Sequence, residues 1–339
     1  MAIAVSNGVA STIVSTQRSL WQRIFMTIKL RFIKAIVTGA FMIFGLPGIR
    51  NTAELPTYTK IYPIRQTLVN RIFIPKSYKT GDSLPLYLDI HGGGFALMSP
   101  VVDDPFCSWF ANEHKIIVVS LDYPKAPSHK YPSAIEALTD LVNAVLDDEE
   151  LPFDKKKVAI GGFSAGANLS LALTQQEDIR GRIGGVAAFY PPVDFVTKGP
   201  EKMKTRPFGS PPDALENAVS MFDFGYTTVG QDLQDPLLSM AYAERENLPP
   251  KLFVVGCEFD MLCREAELFA EKMAQVGTGE RTGSDTLWEK NGVRWEKILG
   301  ELHGFDQMIA FGETRIRVEK RRKEMWHSAA EWLFREVYV

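Results

Sequence analysis

Ser164 stands at the centre of Gly162-Phe163-Ser164-Ala165-Gly166, with a glycine two residues away on either side. The apolar run Val158-Ala159-Ile160 precedes it, and the small and apolar residues Ala165 to Leu173 follow. The first reads as a buried strand and the second as a helix. A chain that turns from strand to helix within one residue takes tight dihedrals at the joint, where side chains at 162 and 166 would collide. Such a bend lifts the serine hydroxyl clear of the sheet and aims the first free amides of the helix at whatever the serine attacks. That is the setting of a serine nucleophile in covalent acyl transfer, provided that a base and an anion-stabilising site lie nearby.

Both requirements have candidates. His91-Gly92-Gly93-Gly94 follows an apolar run ending at Ile90. Three glycines let the backbone approach a ligand and turn amides into a cavity, and the lack of a following Lys-Ser/Thr excludes a Walker-type phosphate loop. Asp260 comes just after the run Lys251–Cys257, and His303 just after Val293–Leu299. Serine, acid and histidine thus occur in an order used by hydrolases, each beyond the end of a strand. Glu258 is the alternative acid. Of the other histidines, His91 belongs to the glycine loop and is expected to hold its shape. His114 and His327 fall on predicted helices as packing or surface residues, and His129 falls in a loop.

These residues need a frame. Thr67–Pro75, Leu84–Ile90, Ile116–Tyr123, Val158–Ile160, Val186–Tyr190, Lys251–Cys257 and Val293–Leu299 read as strands. Helical spacing of Ile135, Leu138, Leu141, Val142, Val145 and Leu146, and again over 264–275 and 317–335, supplies helices between and after them. The alternation predicts an α/β fold, a mostly parallel sheet with helices on both faces, and ligands beyond the carboxyl ends of its strands. The polar stretch Gly277–Gly292 reads as a long exposed loop.

The chain has 339 residues, 45% of them hydrophobic, enough for a large core, and a formal net charge of -3 that gives no reason to expect a nucleic-acid partner. Three cysteines, Cys107, Cys257 and Cys263, do not make a disulfide scaffold and read as buried thiols. The sequon at Asn168 lies on the helix after Ser164 and is expected to be inaccessible. Residues 1–53 contain no Asp or Glu but carry Arg18, Arg23, Lys29, Arg31, Lys34 and Arg50. Their apolar run, Ala35–Leu46, has 12 residues before Pro47, short of the roughly 20 that span a bilayer. Three readings stand: a helical arm over the active site, an interfacial helix on a membrane, or an acid-free targeting segment. The run is not placed like a secretory signal, so a cytoplasmic rather than secreted protein is expected, with peripheral membrane contact through residues 20–48 and a homodimer both compatible.

At the level of whole blocks, the chain resembles the hormone-sensitive-lipase-like branch of the α/β-hydrolases, serine esterases marked by an HGGG loop. The resemblance covers most of residues 75–335. It rests on HGGGF at 91–95, DYPKAPSHKYPSAIEAL at 122–138, GGFSAGAN at 161–168, DPLLS at 235–239, LPPKLFVVGCEFDML at 248–262 and HGF at 303–305. It departs from the family at Phe163, where an acidic residue is common, and at Pro124-Lys125, where Arg-Leu is common. The resemblance implies the α/β-hydrolase fold, with Ser164, Asp260 and His303 as catalytic residues and the amides of Gly93, Gly94 and Ala165 as oxyanion donors. His91, Gly92, Gly162 and Gly166 would support them, and no metal or cofactor would be needed. It implies an arm over 1–54 and a catalytic domain over 55–339, with a cap insertion at about 191–246. Met203, Phe208, Met221, Phe222, Phe224 and Tyr226 of that insertion would line an apolar pocket for a small to medium hydrophobic ester, short acyl chains favoured. The same triad serves an acyltransferase, lactonase or amidase acting on a specialised metabolite, or a lipase on neutral lipid. Some relatives are non-catalytic receptors that have lost the histidine, which this chain keeps.

Overall fold

Runs of apolar residues flanked by polar turns build the centre of the molecule. The computed structural model describes residues 3–5, 12–44, 52–308 and 310–339. In chain order the strands of its main sheet are β1 (Tyr58–Lys60), β2 (Asn70–Phe73), β3 (Leu84–Ile90), β4 (Ile117–Leu121), β5 (Phe153–Phe163), β6 (Gly185–Phe189), β7 (Lys251–Cys257), β8 (Thr282–Gly283), β9 (Leu287–Lys290) and β10 (Val293–Ile298). They lie side by side as β8-β9-β10-β7-β6-β5-β3-β4-β2-β1. The six central strands pair in parallel, and the strands at both ends pair antiparallel. The helices are α1 (Leu20–Phe44), α2 (Asp104–His114), α3 (Ser133–Leu146), α4 (Ala165–Leu173), α5 (Gly199–Met203), α6 (Val219–Tyr226), α7 (Cys263–Ala274) and α8 (Gly312–Glu336).

Strand periodicity divides the core into two layers. Leu86, Leu88 and Ile90 of β3 point to one face, where Leu138 of α3, Leu169 of α4 and Phe269 of α7 close over them. Tyr87 points to the other, against Phe106 and Phe110 of α2 and the layer that holds Trp326 and Trp332 of α8. At the edge of the second layer Arg71 and Asp104 form a buried, two-pronged ion pair at 2.5 and 2.6 Å.

The central strands and helices lie where the sequence places them, with four differences. Residues 277–292 are only partly an exposed loop: β9 pairs antiparallel with β10 and β8 antiparallel with β9, and Trp288 is buried opposite Trp295 while residues 277–285 stay exposed. Polar neighbours hide this one inward residue in the sequence, and the Arg281 guanidinium covers its ring at 4.8 Å. The strand expected at 158–160 runs from Phe153 to Phe163, and α8 begins at Gly312 rather than 317. The short edge strand β1 was not anticipated.

Helix α1 carries Arg23, Lys29, Arg31 and Lys34 of the basic N-terminal stretch. No helix among the described residues is long and apolar enough to cross a membrane. The end of the apolar run, from Gly45 to Pro47, lies outside the described residues.

Candidate active site

The Ser164 joint has the expected strain. Its backbone sits at φ 52°, ψ -118°, between the last residue of β5 and the first of α4. The turn presses both flanking glycines against the end of β3. A Cβ on Gly162 would lie 2.2 Å from the Ile90 carbonyl oxygen, and one on Gly166 only 1.9 Å from the same atom. No side chain fits there without moving backbone, so the two glycines are needed for contact with β3 as well as for the bend.

Three strand ends bring the reactive side chains together. The imidazole Nε2 of His303 lies 2.8 Å from Ser164 Oγ, and its Nδ1 lies 2.7 Å from Asp260 Oδ2. Asp260 is 1% exposed, and its second oxygen accepts the Leu262 amide at 2.9 Å. Burial alone would lower the pKa of His303, but the Asp260 charge and hydrogen bond, with Asp213 and Asp306 beyond, outweigh burial and hold it above the ordinary imidazole value. Glu258 points elsewhere: its Oε2 accepts the Gly300 amide at 2.7 Å.

Each of the segments that carry this relay is clamped from outside. In the Asp260 loop, the Met261 amide donates to Asp213 Oδ2 at 3.0 Å and the Phe259 carbonyl accepts from Arg206 Nε at 2.8 Å. After His303, the Asp306 carboxyl accepts the Tyr190 hydroxyl at 2.6 Å, and Gln307 donates to Asp103 at 2.6 Å. The Tyr190 ring in turn meets the His303 ring edge-on at 4.8 Å. Asn168, buried on α4, donates to the Pro192 and Leu238 carbonyls at 2.8 and 2.9 Å, tying the serine helix to both ends of the segment above it. These positioning residues were missed in the sequence. Asp306 and Gln307 stood next to the HGF block, but nothing in their spacing says which buried hydroxyl or carboxyl they reach.

The glycine loop flanks the serine. A Cβ on Gly92 would lie 3.0 Å from the Phe163 carbonyl and 3.5 Å from Ser164 Cβ. Gly93 and Gly94 both take positive φ, at 112° and 57°. Among the described residues the amides of Gly93 and Gly94 have no hydrogen-bond acceptor. His91 is wholly buried beneath them, its Nδ1 2.7 Å from the Gly92 carbonyl and its ring stacked on Tyr123 at 4.4 Å. The Tyr123 hydroxyl donates to the His91 and Gly92 carbonyls. Burial and the nearby Lys125 push the His91 pKa down to about 4, so the ring is neutral and acts as a support. Lys125, a departure from the family pattern, pairs with Asp122, which lies 3.5 Å from His91. Phe163, the other departure, packs between Phe106 and Phe189 at 5.1 and 4.7 Å. The Phe222 ring of α6 lies directly over Gly94, where an added Cβ would meet it at 2.5 Å.

A polarised serine beside unpaired amides is equipped to attack an acyl carbon. Comparisons with known proteins bear on the family and the fold. Residues 87–283, more than half of the chain, match the family model described as alpha/beta hydrolase fold. An esterase of Acinetobacter venetianus is 32% identical over 197 residues, covering 56% of this chain and 62% of its own. An arylesterase of Saccharolobus solfataricus is 29% identical over 201 residues, 57% of this chain and 63% of its own. The chain thus spans about three-fifths of the length of these curated relatives. A Pyrobaculum calidifontis esterase structure superposes with a TM-score of 0.68 at 25% identity, over 95% of this chain and 100% of that one. The sheet order, the family match and the motif blocks together place this chain in the α/β-hydrolase family, in its hormone-sensitive-lipase-like branch.

Proposed function

We propose that the chain is a serine carboxylesterase that cleaves small to medium hydrophobic esters through an acyl-enzyme. The observation that carries this is the continuous relay from Asp260 through His303 to Ser164, with hydrogen-bond distances of 2.7 and 2.8 Å. In this reading Asp260 holds the Nδ1–H tautomer, so that Nε2 is free to accept the Ser164 proton as Oγ attacks the ester carbonyl. The developing oxyanion is taken by the amides of Gly93, Gly94 and Ala165, and each such donor is worth about 10²–10³ in kcat. The imidazolium then protonates the leaving alkoxide. Water, deprotonated by the same His303, releases the acid and restores Ser164.

The segment over the site, about 191–246, serves as a cap, and α1 of the N-terminal arm packs on it through Leu30. Phe222 over Gly94 limits the acyl side, which supports short chains. The buried free thiols of Cys107, Cys257 and Cys263 support a reducing compartment such as the cytoplasm.

The test is hydrolysis of p-nitrophenyl acetate, butyrate, octanoate and palmitate by wild type and Ser164→Ala, with fluorophosphonate labelling. Turnover that falls with chain length, and that is lost with the label in the variant, is the expected result. A folded wild type that neither turns over nor labels would refute the assignment.

A further inference from the structure

Helix α1 holds to the rest of the molecule by one narrow face. Leu30 is fully buried against α6, and Met26, Ile33 and Val37 pack beside it, half-buried. On an ordinary surface helix the remaining face is polar. Here it is apolar and uncovered. Leu20, Trp21, Phe25, Ile28, Phe32 and Ile36 are 55–79% exposed. At 3.6 residues per turn they spread over an arc of roughly 160°. Leaving such a band in water is unfavourable at about 25 cal/mol per Å².

Charge says what covers it. Residues 1–53 have no acid. On the helical wheel Arg23 and Lys34 border the apolar arc on one side, Lys29 borders it on the other, and the exposed Arg31 falls within its edge. Arg23, Lys29 and Arg31 form no ion pair among the described residues. Beside the helix lies a cavity of about 820 Å³ lined by Leu20, Arg23, Ile28 and Arg31 of α1 and by Lys130 and Lys198, whose ammonium groups donate to the Phe224, Thr227 and Phe195 carbonyls. Neither Ser164 nor His303 lines this cavity. The apolar arc, bordered by long cations able to reach past it, is the pattern of a helix lying in a membrane interface.

We propose that α1 docks the protein flat on an anionic bilayer. The exposed band enters the acyl boundary, and Arg23, Lys29 and Arg31 take headgroup phosphates and carboxylates. The inference is independent of the esterase reading.

The experiment is flotation of the full chain with vesicles of phosphatidylcholine alone and of phosphatidylcholine with about 30% phosphatidylserine, at low and high salt. Binding to the anionic vesicles, at least about tenfold weaker on neutral ones or in 0.5 M NaCl, is expected. The triple variant Trp21→Ser/Phe25→Ser/Phe32→Ser should lose binding while its melting temperature and circular dichroism stay unchanged. If that variant misfolds, Arg23→Gln/Lys29→Gln/Arg31→Gln, which leaves the apolar band in place, should lose the preference for anionic vesicles. Wild type that stays off the anionic vesicles overturns the proposal, as does a folded triple variant that binds as well as wild type. So does a lipid-free wild-type dimer that the triple variant converts to monomer, since the band would then be a contact between copies.

Discussion

Asp260→Asn removes one negative charge at almost constant volume, and the structure fixes how the new amide must sit. The Leu262 amide donates to Asp260 Oδ1 at 2.9 Å and needs an acceptor there. The Asn oxygen therefore takes the Oδ1 position and its NH₂ faces His303 Nδ1, 2.7 Å away. A donor at that point makes Nδ1 an acceptor and moves the single ring proton of neutral His303 to Nε2. That nitrogen lies 2.8 Å from Ser164 Oγ and can then no longer take its proton. The expected loss is about 10⁴ in kcat, or about 5 kcal/mol of barrier. The charge that raises the His303 pKa is also gone, so whatever activity remains should show its acid limb at lower pH than wild type. Glu258→Gln is the control. Its side chain only caps the Gly300 amide, which a Gln oxygen also accepts, so kcat should stay within about threefold. Steady-state hydrolysis of p-nitrophenyl butyrate from pH 6 to 9, with circular dichroism to show folding, reads all of this. Asp260→Asn retaining activity within tenfold of wild type while Glu258→Gln loses it would refute the reasoning.

Other outcomes follow from the same geometry. In wild type the base must be neutral, so kcat/KM should rise with pH through a limb centred above 6.5, because the His303 pKa is raised; the stability that the same shift contributes is present below 6.5 and is lost as pH rises through the folded value. Gly166→Ala should abolish labelling of Ser164 by fluorophosphonate, since its Cβ would stand 1.9 Å from the Ile90 carbonyl and the turn must open to admit it. Phe222→Ala should raise kcat/KM for octanoate over acetate esters by about tenfold, measured as a ratio within one enzyme, as the space over Gly94 opens. Asp104→Ala removes the two-pronged partner of Arg71 and should lower stability measurably in urea unfolding.

Much of the frame was legible because its signals are local. A strand buried on both faces must be apolar throughout, as at Ile117–Leu121, and a helix that covers a sheet must repeat apolar residues at 3.6, as α3 does. Trp288 shows where this breaks down. One inward residue on a four-residue strand carries no periodicity, and its partner Trp295 comes from β10, so polar neighbours made the segment look like a loop.

The candidate chemistry divides in the same way. Glycine spacing around Ser164, the glycine loop and the positions of Asp260 and His303 just past strand ends are properties of short stretches, and the sequence alone identifies them. Which acid faces the histidine is not local. Glu258 and Asp260 are two residues apart, and only the packed loop, with Asp213 and Arg206 clamping it from a distant segment, turns one carboxylate to His303 and the other to Gly300. The supports Tyr123, Tyr190, Asp306 and Asn168 likewise gain their roles through contacts 24 to 116 residues apart in the chain. For α1, composition supplied the cations and the lack of acids. Which apolar side chains turn inward with Leu30 and which stay outside with Trp21 and Phe32 was decided by where the helix meets α6. Residue type sets what a side chain can do, whereas its partner is set by the closure of long loops, whose ends no short stretch of sequence records.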